Sequence, residues 1–141
     1  MALVGGGGSP NVAGGNPSGT GSSLNYVGNH AYAYSGSIEA TNAVDSTMLD
    51  FTTSSSYVKA TAQFYYGDNS ATSDDMIYTL KINNETIFSY LVNDPVNPPA
   101  SSHNYINIIL PPFSRVQILA KNRSSSTPRE VYATISGRVY A

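Results

Sequence analysis

From residue 31 onward, apolar and polar residues alternate with a period of two in short runs, and clusters of Gly, Pro, Asn, Asp and Ser close each run. Alternation of this kind places every second side chain on one face, the pattern of half-buried β-strands. Eight such runs are legible, at 31–40, 47–52, 57–67, 76–83, 85–92, 103–110, 113–122 and 129–140. The third puts Val58, Ala60, Ala62, Phe64 and Tyr66 on one face and Tyr57, Lys59, Thr61, Gln63 and Tyr65 on the other. Met76, Tyr78, Leu80 and Ile82 share a face in the fourth, and Val131, Ala133, Ile135, Gly137 and Val139 share one in the last. Asn83-Asn84 predicts a tight hairpin, because Asn tolerates positive φ. Pro111-Pro112 predicts a break, since proline offers no ladder donor. No segment sustains a 3.6-residue period.

Eight strands without a helix leave a sandwich or a closed barrel. The strand count, the longer connections at 67–75 and 93–102 and the long final strand favour an all-β, eight-stranded antiparallel jelly-roll β-sandwich. An immunoglobulin-like sandwich would want seven strands and a core Trp, and the chain has no Trp.

The first 28 residues break this pattern: they hold nine of the 12 glycines, two prolines and no charge. So few side chains give a chain nothing to fold around. Residues 1–28 are therefore expected to be an extended arm ordered by neighbouring subunits, with 29–141 forming the sandwich. The arm's sparse apolar residues, Leu3, Val4, Val12, Leu24, Tyr26 and Val27, are the candidate interaction anchors.

Charged residues make up only 11% of the chain, against roughly 25% in an average protein. A surface made polar by hydroxyls and amides is cheaper to desolvate than one made polar by ions, which suits a protein packed against others. The net charge of −2 gives no reason to expect nucleic-acid binding. Acids dominate from Glu39 to Asp94 and bases dominate from Phe113 onward. These halves either interleave and cancel or lie apart and favour head-to-tail contacts. Cysteine is absent, which excludes disulfides and thiolate metal sites. MALVGGGGSP lacks the basic and apolar regions of a secretory signal, and no apolar run approaches membrane-spanning length. The sequons at Asn84 and Asn122 are then expected to be chance matches.

Candidate chemistry is sparse. Asp68, Asn69, Asp74 and Asp75 cluster in one stretch with oxygen ligands suited to Ca²⁺, but without EF-hand spacing. His30 and His103 are the two histidines; no G-x-S-x-G elbow accompanies them, and no pair of acids is spaced for glycoside hydrolysis. Gly5–Gly8 lack the Lys-Ser/Thr of a phosphate loop. The expectation is a non-enzyme without metal or cofactor. Eleven tyrosines against four phenylalanines are a bias toward interfaces or sugar platforms, with Tyr32, Tyr34, Tyr65, Tyr66, Tyr132 and Tyr140 as candidates. A carbohydrate- or receptor-binding head of a phage fibre, or a lectin-like module, is accordingly the alternative reading.

The stretch LPPFSRVQILAKN followed by the terminal ISGRVY resembles the end of small jelly-roll proteins found on virus and phage particles, the capsid decoration (cement) and minor capsid proteins. The resemblance spans about residues 31–141. It implies a virion structural protein on the capsid surface, assembled in the host cell cytoplasm. Its partners would be the major capsid protein and other virion proteins, with a homo-oligomer, preferentially a trimer, and no nucleic acid or membrane. An extended terminus would clamp the shell.

Overall fold

A computed structural model describes residues 24–41, 43–66, 75–92, 105–123 and 127–140. The expectations at Leu3, Val4, Val12, Asp68, Asn69, Asp74 and His103 lie outside the described residues. Among those described, the chain is all-β, with ten strands in two antiparallel sheets. They are β1 (Asn25–Val27), β2 (His30–Tyr34), β3 (Ile38–Ala40), β4 (Ser46–Thr52), β5 (Tyr57–Tyr66), β6 (Met76–Ile82), β7 (Glu85–Val92), β8 (Tyr105–Leu110), β9 (Arg115–Asn122) and β10 (Arg129–Tyr140).

One sheet runs β1-β2-β10-β5-β8, with β3 also paired to β10; the other runs β4-β9-β6-β7. The chain changes sheet at every connection from β3 to β10 except the β6–β7 hairpin. In that hairpin Asn83 (φ 51°) and Asn84 (φ 70°) are both left-handed, as a type I′ turn requires.

The expected eight strands become ten for two local reasons. Residues 31–40 do not run unbroken: Tyr34 pairs with Thr134 and Ile38 with Val131, so three residues, 35–37, face only two on β10. Gly36 takes φ 70° at this bulge. The buried Ser35 hydroxyl accepts the Ala133 N–H at 2.8 Å, which closes the ladder across the break. The second addition is β1, whose three residues pair with β2 inside the segment assigned to the arm.

The core lies between the sheets. From one side come Ala31, Ala33, Ala60, Ala62 and Ala133, small residues set beside Val58, Phe64, Val131 and Ile135. From the other come the bulkier Met48, Leu49, Phe51, Met76, Tyr78, Leu80, Val116 and Ile118. Small against large is how two pleated faces reach close packing. Phe64 of β5 stacks on Tyr78 of β6 (centroids 5.3 Å apart) and Phe88 of β7 (6.0 Å), so β5 lies over β6 and β7. At Gly137 a β-carbon would sit 2.3 Å from the Lys59 carbonyl oxygen and 2.7 Å from the Ala60 α-carbon. The approach of β10 to β5 therefore depends on a residue without one.

Candidate interaction surface

The alternation that builds the core also builds the opposite face of the β1-β2-β10-β5-β8 sheet. With Ala31, Ala33, Ala60, Ala62, Ala133 and Ile135 inward, the intervening residues face outward. They include seven tyrosines: Tyr32 and Tyr34 of β2, Tyr57 and Tyr65 of β5, Tyr105 of β8, and Tyr132 and Tyr140 of β10. Cross-strand register brings them together. Tyr65 pairs with Tyr132 and their rings stack at 5.2 Å and 19°. Tyr140 pairs with Tyr57, and the Arg138 guanidinium lies 5.9 Å from the Tyr140 ring centroid. Tyr32 and Tyr34 tilt together at 5.2 Å.

Between the rings are Thr61, Gln63, Asn107, Thr134 and Ser136, with Thr61 donating to the Asn107 side-chain oxygen at 2.7 Å. Charge on the face is confined to two rows. Arg138 and Lys59 share one, beside His30 and next to the Tyr57–Tyr140 pair, while Glu130 pairs with Glu39 at the opposite end and accepts the Ser37 hydroxyl. Of the platform tyrosines singled out in sequence, five lie on this face; Tyr66 occupies the register position opposite Val131.

A second feature lies at the cationic end. Pro112 and Phe113 are the central residues of the β8–β9 turn, and Phe113 has φ 53° while being 74% exposed. A positive φ after proline is the type II arrangement, which favours Gly or Asn at that place. A large side chain there is strained. The strain is held by surrounding bonds. Phe113 N–H donates to the Ser54 carbonyl at 2.9 Å, and Thr53 and Ser114 exchange backbone and side-chain bonds. Asn83 Oδ1 accepts the Arg115 N–H at 2.9 Å, tying in the neighbouring turn. The result is an aromatic ring displayed on a rigid mount, the arrangement typical of an interface anchor.

The described anchor candidates divide. Leu24 is 3% exposed and belongs to the domain's own core. Tyr26 packs against that core, its hydroxyl donating to Ser54 Oγ at 3.0 Å and accepting the Ser54 N–H. Only Val27 is open to solvent, 64% exposed. His30 stands exposed at the start of β2, in register with Val27 and Arg138. Asp75 precedes β6 and accepts the Arg123 N–H through its carbonyl. No group of three or more His, Cys, Asp or Glu capable of holding a metal occurs among the described residues.

Among the described residues, the acidic and basic halves of the chain interleave. Because β9 lies between β4 and β6, Arg115 forms a two-bond pair with Asp50 (2.9 and 2.6 Å), and Lys121 lies 3.8 Å from Asp45. The Arg115 hydrogen bonds hold the Asp50 carboxyl below its ordinary pKa; burial opposes them, and the Arg115 charge and a Gln117 hydrogen bond add to the lowering.

Sequence reasoning missed Phe113, Tyr57 and Tyr105 as members of an exposed surface. A signal for Phe113 was present: Pro-Pro-Phe sets a bulky residue where a proline turn wants glycine. Compared with protein families, with curated proteins and with solved structures, the chain matches none.

Proposed function

We propose that this chain is a non-enzymatic structural protein of a virus particle, a capsid decoration or minor capsid subunit. Its sandwich lies against neighbouring protein through the tyrosine-lined sheet face. The observation that carries this reading is that face itself: seven tyrosines, five exposed and two half-buried, joined by hydroxyl and amide side chains, with charge confined to two rows. Tyrosine supplies large contact area at low entropy cost, and the polar groups between need only hydrogen-bond partners to be buried cheaply. A catalytic cleft would instead gather titratable groups into one concavity.

The strand order supports the finer fold reading. If β2 and β3 count as one bulged strand and β1 as a short addition, eight strands remain. They divide four and four in the double Greek-key order of a jelly roll, the architecture of many capsid domains. The partner is the major capsid protein, and residues 1–23 serve as the arm that clamps it.

The test is the protein inventory of particles banded on a density gradient, read by mass spectrometry and immunogold labelling. The chain is expected at stoichiometric copy number on the particle surface. A chain lacking residues 1–23, which keeps Leu24 and β1, is expected to fold and to lose occupancy. Particles free of this protein overturn the reading.

The stacked Tyr65–Tyr132 pair favours one other reading, a carbohydrate-recognising module that uses these rings as a platform. A glycan array separates the two. Sugar binding abolished by Tyr132→Ala supports the module, and a blank array supports the assembly protein.

A further inference from the structure

Open sheet edges invite pairing with other chains, and proteins blunt them with short strands, bulges, charge or proline. Among the described residues the two sheets end on four edges, and three of these carry such a device. The β1 and β3 edge is made of two three-residue strands, with Glu39 in β3. The β4 edge has a register shift between Thr47 and Leu49 and carries Asp50. The β7 edge is bulged opposite Leu80 and Lys81, and Glu85 begins it.

The β8 edge has none. Its six residues, Tyr-Ile-Asn-Ile-Ile-Leu, contain no charge, proline or glycine. They pair with β5 in unbroken register from Leu110 to Tyr105, and among the described residues β8 ends its sheet. Ile109 is 61% exposed, and Tyr105 and Asn107 are exposed with it, while Ile106 and Ile108 are only half-buried. Because Phe64 of β5 stacks on Phe88 of β7, β8 and β7 border the same side of the sandwich, where Ile87 and Leu91 are also exposed.

We propose that two copies of this chain join edge to edge through β8, antiparallel, with Asn107 of each copy opposite Asn107 of the other. The sheet then continues across a twofold axis. The register follows from the pleat. Antiparallel neighbours must share a face, so the axis has to pass through a residue rather than between two. Centring on Asn107 sets Tyr105 against Ile109 of the second copy on the outer face, an aromatic and β-branched pair of the kind that stabilises sheets. It sets Ile106 against Ile108 on the inner face. Centring on Ile108 matches as many residues but sets Asn107 against Ile109, and centring on Ile106 sets Asn107 against Tyr105 and matches only three residues. No like charges meet across the axis, so nothing in β8 opposes a second β8.

The area sets the affinity. Six residues at ~3.4 Å each give an edge of roughly 20 Å, and a sandwich about 20 Å thick contributes on the order of 400 Å² per copy. The total, on the order of 800 Å², falls below the ~1,200 Å² of stable interfaces. The dimer therefore dissociates on dilution and strengthens when a lattice repeats the contact. This pairing belongs to the isolated chain and does not depend on what the tyrosine face binds.

Sedimentation velocity of the full chain from low micromolar to near-millimolar concentration tests it, with circular dichroism and thermal melting confirming the fold of each variant. The wild type is expected to pass from monomer to dimer. Ile109→Lys, at an exposed position, is expected to weaken the dimer by about tenfold or more, since the apolar contact with Tyr105 is lost and a charge is desolvated twice per dimer. Tyr105→Glu is expected to weaken it likewise. The double variant Tyr105→Glu/Ile109→Lys places opposite charges face to face only in the Asn107-centred register, and is expected to recover the dimer. A wild type that stays monomeric throughout, or a dimer indifferent to Ile109→Lys, overturns the proposal. A double variant that fails to recover overturns the register.

Discussion

Thr53 Oγ1 stands between the two ends of the β8–β9 turn, accepting the Ser114 N–H at 2.8 Å and donating to the Pro111 carbonyl at 2.6 Å. A direct bond from residue i+3 to residue i would ordinarily close such a turn; here a side chain from the β4–β5 connection bridges it. Thr53 and Ser114 are both buried. Thr53→Val keeps the shape and removes both bonds, leaving a buried N–H without its acceptor. The expected loss is about 1–3 kcal/mol in chemical denaturation. A neutral result would mean that the turn closes without Thr53.

Phe113 rests on that mount in a left-handed conformation. An L-residue there is disfavoured by roughly 1–2 kcal/mol, whereas glycine loses only roughly 0.5–1 kcal/mol of chain entropy. Since the ring is mostly in solvent, Phe113→Gly is expected to raise stability by roughly 0.5–1 kcal/mol. A rise in melting temperature with loss of particle binding marks a residue kept for contact. A fall in stability refutes the strain.

At Gly137 the neighbours are backbone atoms, which cannot swing aside. Gly137→Ala is expected to push β10 from β5 and to destabilise by at least ~2 kcal/mol, the upper range of overpacking. Urea unfolding would show it. An unchanged midpoint would mean that the two strands separate without penalty.

The Asp50–Arg115 pair gives a pH dependence of definite sign. Arg115 lowers the Asp50 pKa in the folded state. The pair's contribution is therefore complete above the unfolded carboxyl's pKa of about 3.9, and it fades as pH falls through the lower folded value. Stability curves for wild type and Asp50→Asn should differ at neutral pH and converge once pH falls below the lowered pKa of the folded carboxyl. A gap that persists in acid would assign the stabilisation to something other than the ion pair.

Much of the architecture was legible from alternation alone. Val58, Ala60, Ala62 and Phe64 face inward as the pattern requires, and Asn83-Asn84 makes the expected turn. The bulge at Ser35–Ser37 was not legible, because Ser-Gly-Ser fits a strand's polar positions as well as an interruption. Nor was the fate of Leu24 and Tyr26, whose glycine-rich surroundings suggested an arm although the sheet and core take them in.

By itself the sequence determined that this protein is built of strands, where they turn, and which side chains share a face, because a two-residue period acts within each strand. Only the tertiary structure decided which strands are neighbours. That choice gathered seven tyrosines into one surface, drew Asp50 to Arg115, and left β8 uncharged at an open edge. Pairing order depends on contacts between residues far apart in the chain, which no local pattern of apolar and polar positions encodes.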